Sequence, residues 1–240
     1  MSKISISAVS YTNTLPFLQG IRNAEIMGDI DLHLDYPSEC ARKVLTGEVD
    51  MGVIPVAALA EMDNFFIIGD FCIGSDGAVD SVFVFSQKPI EEVETLSLDE
   101  QSRTSNGLAR ILLKHYWKKE VKIVGAEENA DAYVLIGDRT FGKKENVPYA
   151  YDLGHYWKEL TGLPFAYAVW VANKALPEEF VVKFNKALAE GVTQTEEVLI
   201  GLPQYPNFNL KKYLTENLSY DLDEGKKKAI QQYLNYFRSL

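Results

Sequence analysis

Apolar and polar residues alternate along Ile4-Ser5-Ile6-Ser7-Ala8-Val9, the period-two pattern of a half-buried strand. This strand runs into the polar turn Ser10-Tyr11-Thr12-Asn13-Thr14 and then Leu15-Pro16-Phe17-Leu18, a strand–turn–helix order that sets donors at the mouth of a cleft. A second strand is predicted near residues 30–36. Pro37-Ser38-Glu39 opens a helix whose apolar face carries Cys40, Val44 and Leu45, and Gly47 closes it ahead of a short buried strand at 49–54.

A related order returns farther along. A helix from about Thr104 carries Leu108, Ile111, Leu112 and His115 at helical spacing. A strand at 121–124, a polar stretch at 126–129 and an apolar strand within 130–138 follow it. Asp50 and Asp131 each open an apolar strand behind a helix-bearing segment. The two segments share no tandem identity, but their order predicts an α/β fold of two similar lobes around a shared cleft. The first lobe takes residues 1–85 and 172–240, the second 86–171, with hinges near 81–90 and 165–172. The apolar stretches 81–86 and 165–172 have the length to cross as paired hinge strands. Beyond Asn173 the pattern is mainly helical. Pro177-Glu178-Glu179 starts one helix with Phe180, Phe184 and Leu188 on one face, and Asp223-Glu224 starts the last, with Ile230, Tyr233, Leu234 and Phe237 at helical spacing. Both are expected on the first lobe, with Lys226-Lys227-Lys228 as a solvated face.

Composition narrows the function. The 240 residues hold 47% hydrophobic and 12% aromatic side chains, enough for real cores. With 24 Lys and Arg against 34 Asp and Glu, the net charge of −10 argues against nucleic acid and anionic membranes as partners. An anionic substrate would then need a locally donor-rich site. No run is long enough to span a bilayer, and the N-terminus reads as a strand rather than a secretion signal, so a cytoplasmic protein is expected. Cys40 and Cys72 stand in apolar surroundings without metal-ligand spacing and are expected as buried free thiols.

Four polar clusters fall at strand ends or helix starts: Ser10 to Thr14; Gly74-Ser75-Asp76-Gly77 followed by Val79-Asp80-Ser81-Val82; Asp99 to Ser105; and Tyr151-Asp152-Leu153-Gly154-His155-Tyr156-Trp157. The third has the clearest physics. A helix start presents unpaired amides and partial positive charge to a carboxylate, Ser102, Thr104 and Ser105 add hydroxyls, and Arg103 adds a guanidinium fork. Plain capping, with Arg103 paired to Asp99 or Asp152, explains the same residues equally well. Thr12, Asn13 and Thr14 alone read first as a local Asx or Ser/Thr turn, and Ser75-Asp76-Gly77 as a turn. His33 and His115 lie within regular elements. No nucleophile elbow, phosphate loop, dinucleotide fingerprint or metal cluster appears.

Taken in order, several stretches resemble the chorismate dehydratase family of the futalosine route to menaquinone. They are Ala8 through Pro16, Gly47 through Pro55, Ser75-Asp76-Gly77 with Ser81-Val82, Ser102-Arg103-Thr104-Ser105, Leu135-Ile136-Gly137-Asp138, and Asp152-Leu153-Gly154 with Trp157. Leu160 through Phe165 and Ala168-Val169-Trp170 extend the likeness, which covers about residues 4–172. Thr12 departs from it, standing where relatives usually carry an apolar residue before the Asn, and Gly74 stands where many relatives have a small side chain. The resemblance implies a type 2 periplasmic-binding-protein fold with an interlobe cleft. It also implies loss of water from chorismate to give 3-[(1-carboxyvinyl)oxy]benzoate without metal or organic cofactor. On that reading Asn13 and Ser75 or Ser81 face the reacting ring. Ser102, Arg103, Thr104 and Ser105 hold a carboxylate, and Tyr11, Thr12, Thr14, Asp76, Gly77 and Asp152 complete the binding surface. The base is then a substrate carboxylate or an activated serine. Competing readings are a solute-binding protein for a small carboxylic acid, the sister naphthoate-forming enzyme of the same route, and a regulatory ligand-binding domain.

Overall fold

The computed structural model describes residues 3–125 and 129–240, so the first two residues and most of the polar stretch at 126–129 lie outside the described residues. Two sheets organise the chain. The first runs β11 (Ser219–Asp221), β4 (Phe66–Ser75), β10 (Phe165–Ala172), β3 (Met51–Pro55), β1 (Ile4–Val9), β2 (Ile30–Asp35). The second runs β7 (Lys122–Val124), β6 (Thr95–Ser97), β8 (Ala132–Ile136), β5 (Val82–Ser86), β9 (Tyr149–Asp152).

The two sheets share a plan. In the first, β1 pairs in parallel with β2 and β3, and β10 returns antiparallel beside β3. In the second, β6 pairs in parallel with β7 and β8, and β5 lies antiparallel beside β8. The aspartates noted in the sequence occupy matching places. Asp50, just before β3, accepts the Ser5 amide of β1 at 3.0 Å, and Asp131, just before β8, accepts the Thr95 amide of β6 at 3.2 Å. Each carboxylate fixes the register of a parallel pair that no hairpin could fix.

The strands 82–86 and 165–172 are apolar and buried, as their sequences require, but they do not pair with each other. β5 is held between β8 and β9 and β10 between β3 and β4, so the crossings fall just ahead of each strand, near 76–81 and 162–164. A strand buried on both faces satisfies its backbone most completely inside a single sheet, and the short connections ahead of the strands are left to cross.

Helices α1 (Leu15–Asn23), α2 (Pro37–Leu45), α3 (Arg103–His115) and α4 (Leu153–Thr161) follow their strands, and α5 (Glu178–Thr193), α6 (Thr195–Val198), α7 (Leu210–Lys212) and α8 (Glu224–Arg238) close the chain. α1 and α5 cross at two glycines. A Cβ on Gly20 would stand 2.0 Å from the Ala187 carbonyl, and one on Gly191 2.0 Å from that of Pro16. α8 reaches both lobes. It packs on β10, and its Tyr233 hydroxyl donates at 3.0 Å to the Thr104 carbonyl of α3.

The expected lysine face is only partly solvated. Lys226 is 1% exposed, and its ammonium donates to Ser219 Oγ at 2.7 Å, the Asp221 carbonyl at 2.7 Å and Asp223 Oδ2 at 3.1 Å. Three acceptors use all three of its protons, which satisfies every donor of the buried side chain while tying β11 to the start of α8. Cys40 and Cys72 are buried free thiols, and burial pushes both up to about 12.

Candidate functional site

The equivalent β1–α1 and β6–α3 connections face each other across a cavity between the sheets, with about 560 Å³ of empty space including its mouth. Both connections leave the C-terminal ends of parallel strands, where α/β sheets place ligands. The first supplies Tyr11, Asn13 and Thr14 and the second Ser102, Thr104 and Ser105. Ser81, at the head of β5, and Tyr167 of β10 add two more hydroxyls, while Val9, Ile73, Val79, Val82 and Ile136 form apolar walls. Among the described residues that line it there is no carboxylate, imidazole, ammonium or guanidinium.

Several of the lining hydroxyls are already held by neighbours. Ser102 is the N-cap of α3, its Oγ accepting the Ser105 amide at 3.2 Å. Thr104 is turned inward, taking the Ala57 amide at 3.2 Å and donating to the Tyr167 carbonyl at 3.1 Å, so it pins the helix start to the first sheet. The start is also held from behind. Buried Asp99 accepts the amides of Gln101 at 2.9 Å and Ile136 at 3.2 Å and pairs with Arg139 at 2.6 Å. Tyr11 donates to the Gln101 side chain, and Arg139 reaches the Tyr11 oxygen at 3.5 Å. Burial pushes the Tyr11 hydroxyl above its ordinary range despite the guanidinium beside it, so it remains a neutral phenol.

Opposite, Thr14 Oγ1 donates to Asn13 Oδ1 at 3.0 Å, and the Tyr213 hydroxyl donates to Ser81 Oγ at 3.0 Å. Tyr220 donates to the Asn13 carbonyl at 3.1 Å.

The remaining residues singled out in the sequence lie outside the cavity lining. Thr12 is buried and donates its hydroxyl to Asp138 at 2.8 Å and its amide at 3.1 Å, a tie between the lobes. Burial pushes the Asp138 carboxyl up, against the Thr12 hydrogen bonds. Ser75 donates to the Gly77 carbonyl at 2.9 Å and meets the Tyr167 hydroxyl at 3.2 Å beneath the cavity. Asp76 is exposed and paired with Lys158. Gly77 supplies a φ of 104° for the turn at the first crossing. Asp152 caps α4 and takes the amides of Val79 at 3.2 Å and Asp80 at 2.7 Å, shaping the same crossing. Arg103 points away, half exposed and paired with Glu61 rather than with Asp99 or Asp152. As the first residue of α3 its side chain lies on the flank opposite Ser102 and Ser105, which turn inward, so it is not the fork expected at the helix start.

Tyr167, Tyr213, Arg139 and Gln101 were not legible as site residues. Arg139 directly follows the Leu135-to-Asp138 stretch and Gln101 sits inside a polar cluster, so both carried a weak signal. The two tyrosines come from distant segments and carried none.

Among the described residues no helix is long and apolar enough to cross a membrane, and no group of three or more His, Cys, Asp or Glu side chains gathers around a metal-sized space. The structure is similar to that of an Archaeoglobus fulgidus protein, with a TM-score of 0.77 at 15% identity over 99% of this chain and 97% of that one. It also resembles a Candida albicans protein described as having the generic periplasmic binding protein fold, with a TM-score of 0.67 at 10% identity over 100% of this chain and 91% of that one. The fold is thus the two-lobed periplasmic-binding-protein type. In sequence the chain is 28% identical over 217 residues to a chorismate dehydratase of Thermus thermophilus, covering 78% of this chain and 77% of that protein. It is 23% identical over 246 residues to a chorismate dehydratase of Campylobacter jejuni, covering 97% and 96%. A family model described as menaquinone biosynthesis matches residues 4–239, and on that match the chain belongs to the menaquinone-biosynthesis family.

Proposed function

We propose that the chain is a chorismate dehydratase, a carbon–oxygen lyase that eliminates water from chorismate to give 3-[(1-carboxyvinyl)oxy]benzoate. The observation that carries this reading is a cavity lined by neutral hydroxyls and one amide, set at the open start of α3, in a chain whose family match runs from residue 4 to 239. A substrate carboxylate fits at that start, against Ser102, Ser105 and the first-turn amides. The ring then lies between the apolar walls, with its hydroxyl toward Ser81 and Asn13.

The elimination breaks the C–H bond beside the enolpyruvyl ether and the C–O bond of the neighbouring hydroxyl. The C–H electrons become a ring π bond, and the departing hydroxide leaves as water once protonated. Aromatisation supplies the driving force, so orientation and a donor to the leaving oxygen are what the protein must add. No side chain lining the cavity is a good proton acceptor at neutral pH, and burial keeps Tyr11 and Tyr167 protonated. This favours a carboxylate of the substrate itself as the base.

The test is incubation with chorismate followed by mass spectrometry for a product lighter by one water. A stable complex without such a product would replace the enzyme with a carboxylate-binding protein. Asn13→Ala should cut turnover by roughly a hundredfold or more while largely sparing binding. Full activity in that variant removes Asn13 from the site.

A further inference from the structure

The segment between α5 and α8 leaves the first lobe, crosses the edge of the cleft and returns as β11. On the way Phe208 stacks on Phe141 of the second lobe with ring centres 3.9 Å apart. The carbonyl of Pro206 comes so near Gly142 that a Cβ there would stand 2.3 Å from it. Behind this contact the helix widens into a π-helical stretch, Tyr213–Asn217, closed by the Leu218 amide on the Tyr213 carbonyl at 3.0 Å. Such widened turns cost hydrogen-bond geometry and are found mostly where a side chain must be aimed. Here the side chain aimed is Tyr213. It is 1% exposed, its ring packs on Phe141 and Phe208 at 5.3 and 5.4 Å, and its hydroxyl reaches Ser81 Oγ.

The hydrogen bond made by that hydroxyl has a fixed direction. Tyr213 gives its proton to Ser81 Oγ. Ser81 lines the cavity, and with its oxygen already accepting from Tyr213 its remaining proton is free to point into the cavity. Chains of this kind polarise each successive donor.

We propose that Tyr213 is a positioning residue: by donating to Ser81 Oγ, it directs the Ser81 proton into the cavity, toward the hydroxyl that leaves the substrate. Tyr213 itself does not line the cavity. The proposal rests on the dehydratase reading for the identity of the leaving group, and on geometry alone for the direction of the chain. During the elimination, Ser81 donates a hydrogen bond to the oxygen whose bond to carbon is breaking, and that oxygen departs as water with the proton removed from the ring carbon. Tyr213 makes the donation stronger without changing partners or protonation state.

The experiment is Tyr213→Phe, which deletes one oxygen and keeps the ring in its aromatic pocket. Steady-state kinetics with chorismate should show kcat lower by about tenfold to a hundredfold with KM within about twofold. A role in packing alone would instead lower the melting temperature and leave kcat per folded molecule unchanged, which would overturn the proposal. Coupling adds a second readout. In Ser81→Ala the donor is already gone, so the double variant Tyr213→Phe/Ser81→Ala should be no slower than Ser81→Ala, and independent, multiplicative losses would overturn the chain. If wild-type protein gives no product from chorismate, the dehydratase reading falls by itself. The chain is then read by NMR from the Tyr213 hydroxyl proton, assigned by its loss in Tyr213→Phe. That resonance should move in Ser81→Ala, and a resonance unmoved by that variant would overturn the positioning role.

Discussion

Helices α3 and α4 both begin at the cleft side of the second lobe, both with a capping oxygen, and their first turns are closed in opposite ways. At α4 the cap is a carboxylate. Asp152 takes the amides of Gly154 at 3.0 Å and His155 at 3.1 Å, and also those of Val79 and Asp80 from the first crossing. Four amides converge on one anion, so the positive end of the helix is already occupied by the protein's own charge. At α3 the cap is a neutral hydroxyl that takes only the Ser105 amide, and the amides of Arg103 and Thr104 have no carbonyl four residues back within the helix. A helix start is therefore an anion site only where its cap leaves the charge unanswered. Both starts read as capped helices in the sequence, and the identity of the cap oxygen separates them: one builds the fold, and the other is open to a substrate.

Exchanging that identity should give the largest effect. Ser102→Asp keeps a good cap, since Asp and Ser serve about equally well, so the melting temperature should hold or rise. It also sets a fixed negative charge where the substrate carboxylate belongs. Like charges about 4 Å apart in a partly wet site repel by between about 1 and 4 kcal/mol, so KM should rise by roughly a hundredfold. An unchanged KM would mean that the carboxylate binds elsewhere. Next in size is Asp152→Ala, which strips α4 of its cap and leaves the amides of Val79 and Asp80 without their acceptor. Urea unfolding should show a loss of about 2–4 kcal/mol, with KM for chorismate in the folded fraction within about twofold. A large KM change at full stability would return Asp152 to the binding surface.

Much of this contrast was legible in the sequence up to the point where side-chain direction matters. The strands 4–9 and 165–172 fall on the residues that alternation and apolar runs mark out, because burial sets both the pattern and the element. β4, the longest strand, escaped because exposed Phe66 and Ile67 and the turn-prone Gly69-Asp70 break its pattern, and its pairing with β10 is irregular in register. Lys226 escaped because a run of three lysines reads as solvated, while three acceptors spread over residues 219–223 make one of them a core residue. In the site, the hydroxyls at Ser102 and Ser105 were visible because cap chemistry is local. The part played by Tyr213 depends on Ser81, more than a hundred residues away along the chain, and nothing in the residues around it marks that contact.

Arg103 is the sharpest case, and the smallest expected effect. A guanidinium between Ser102 and Thr104 invites assignment as a carboxylate clamp, and a clamp would dominate binding in an acidic protein. Helical geometry decides otherwise. Successive side chains are turned by about 100° around the axis, so with Ser102, Thr104 and Ser105 buried on the cavity side, Arg103 is carried to the outer flank, where Glu61 meets it. An ion pair so exposed to water contributes little, about 0–1 kcal/mol. Arg103→Ala should therefore change unfolding free energy by about 0.5 kcal/mol and KM by less than about twofold. A tenfold rise in KM would show that the side chain swings inward when substrate binds, and the division between open and closed helix starts would have to include a mobile cation at the open one.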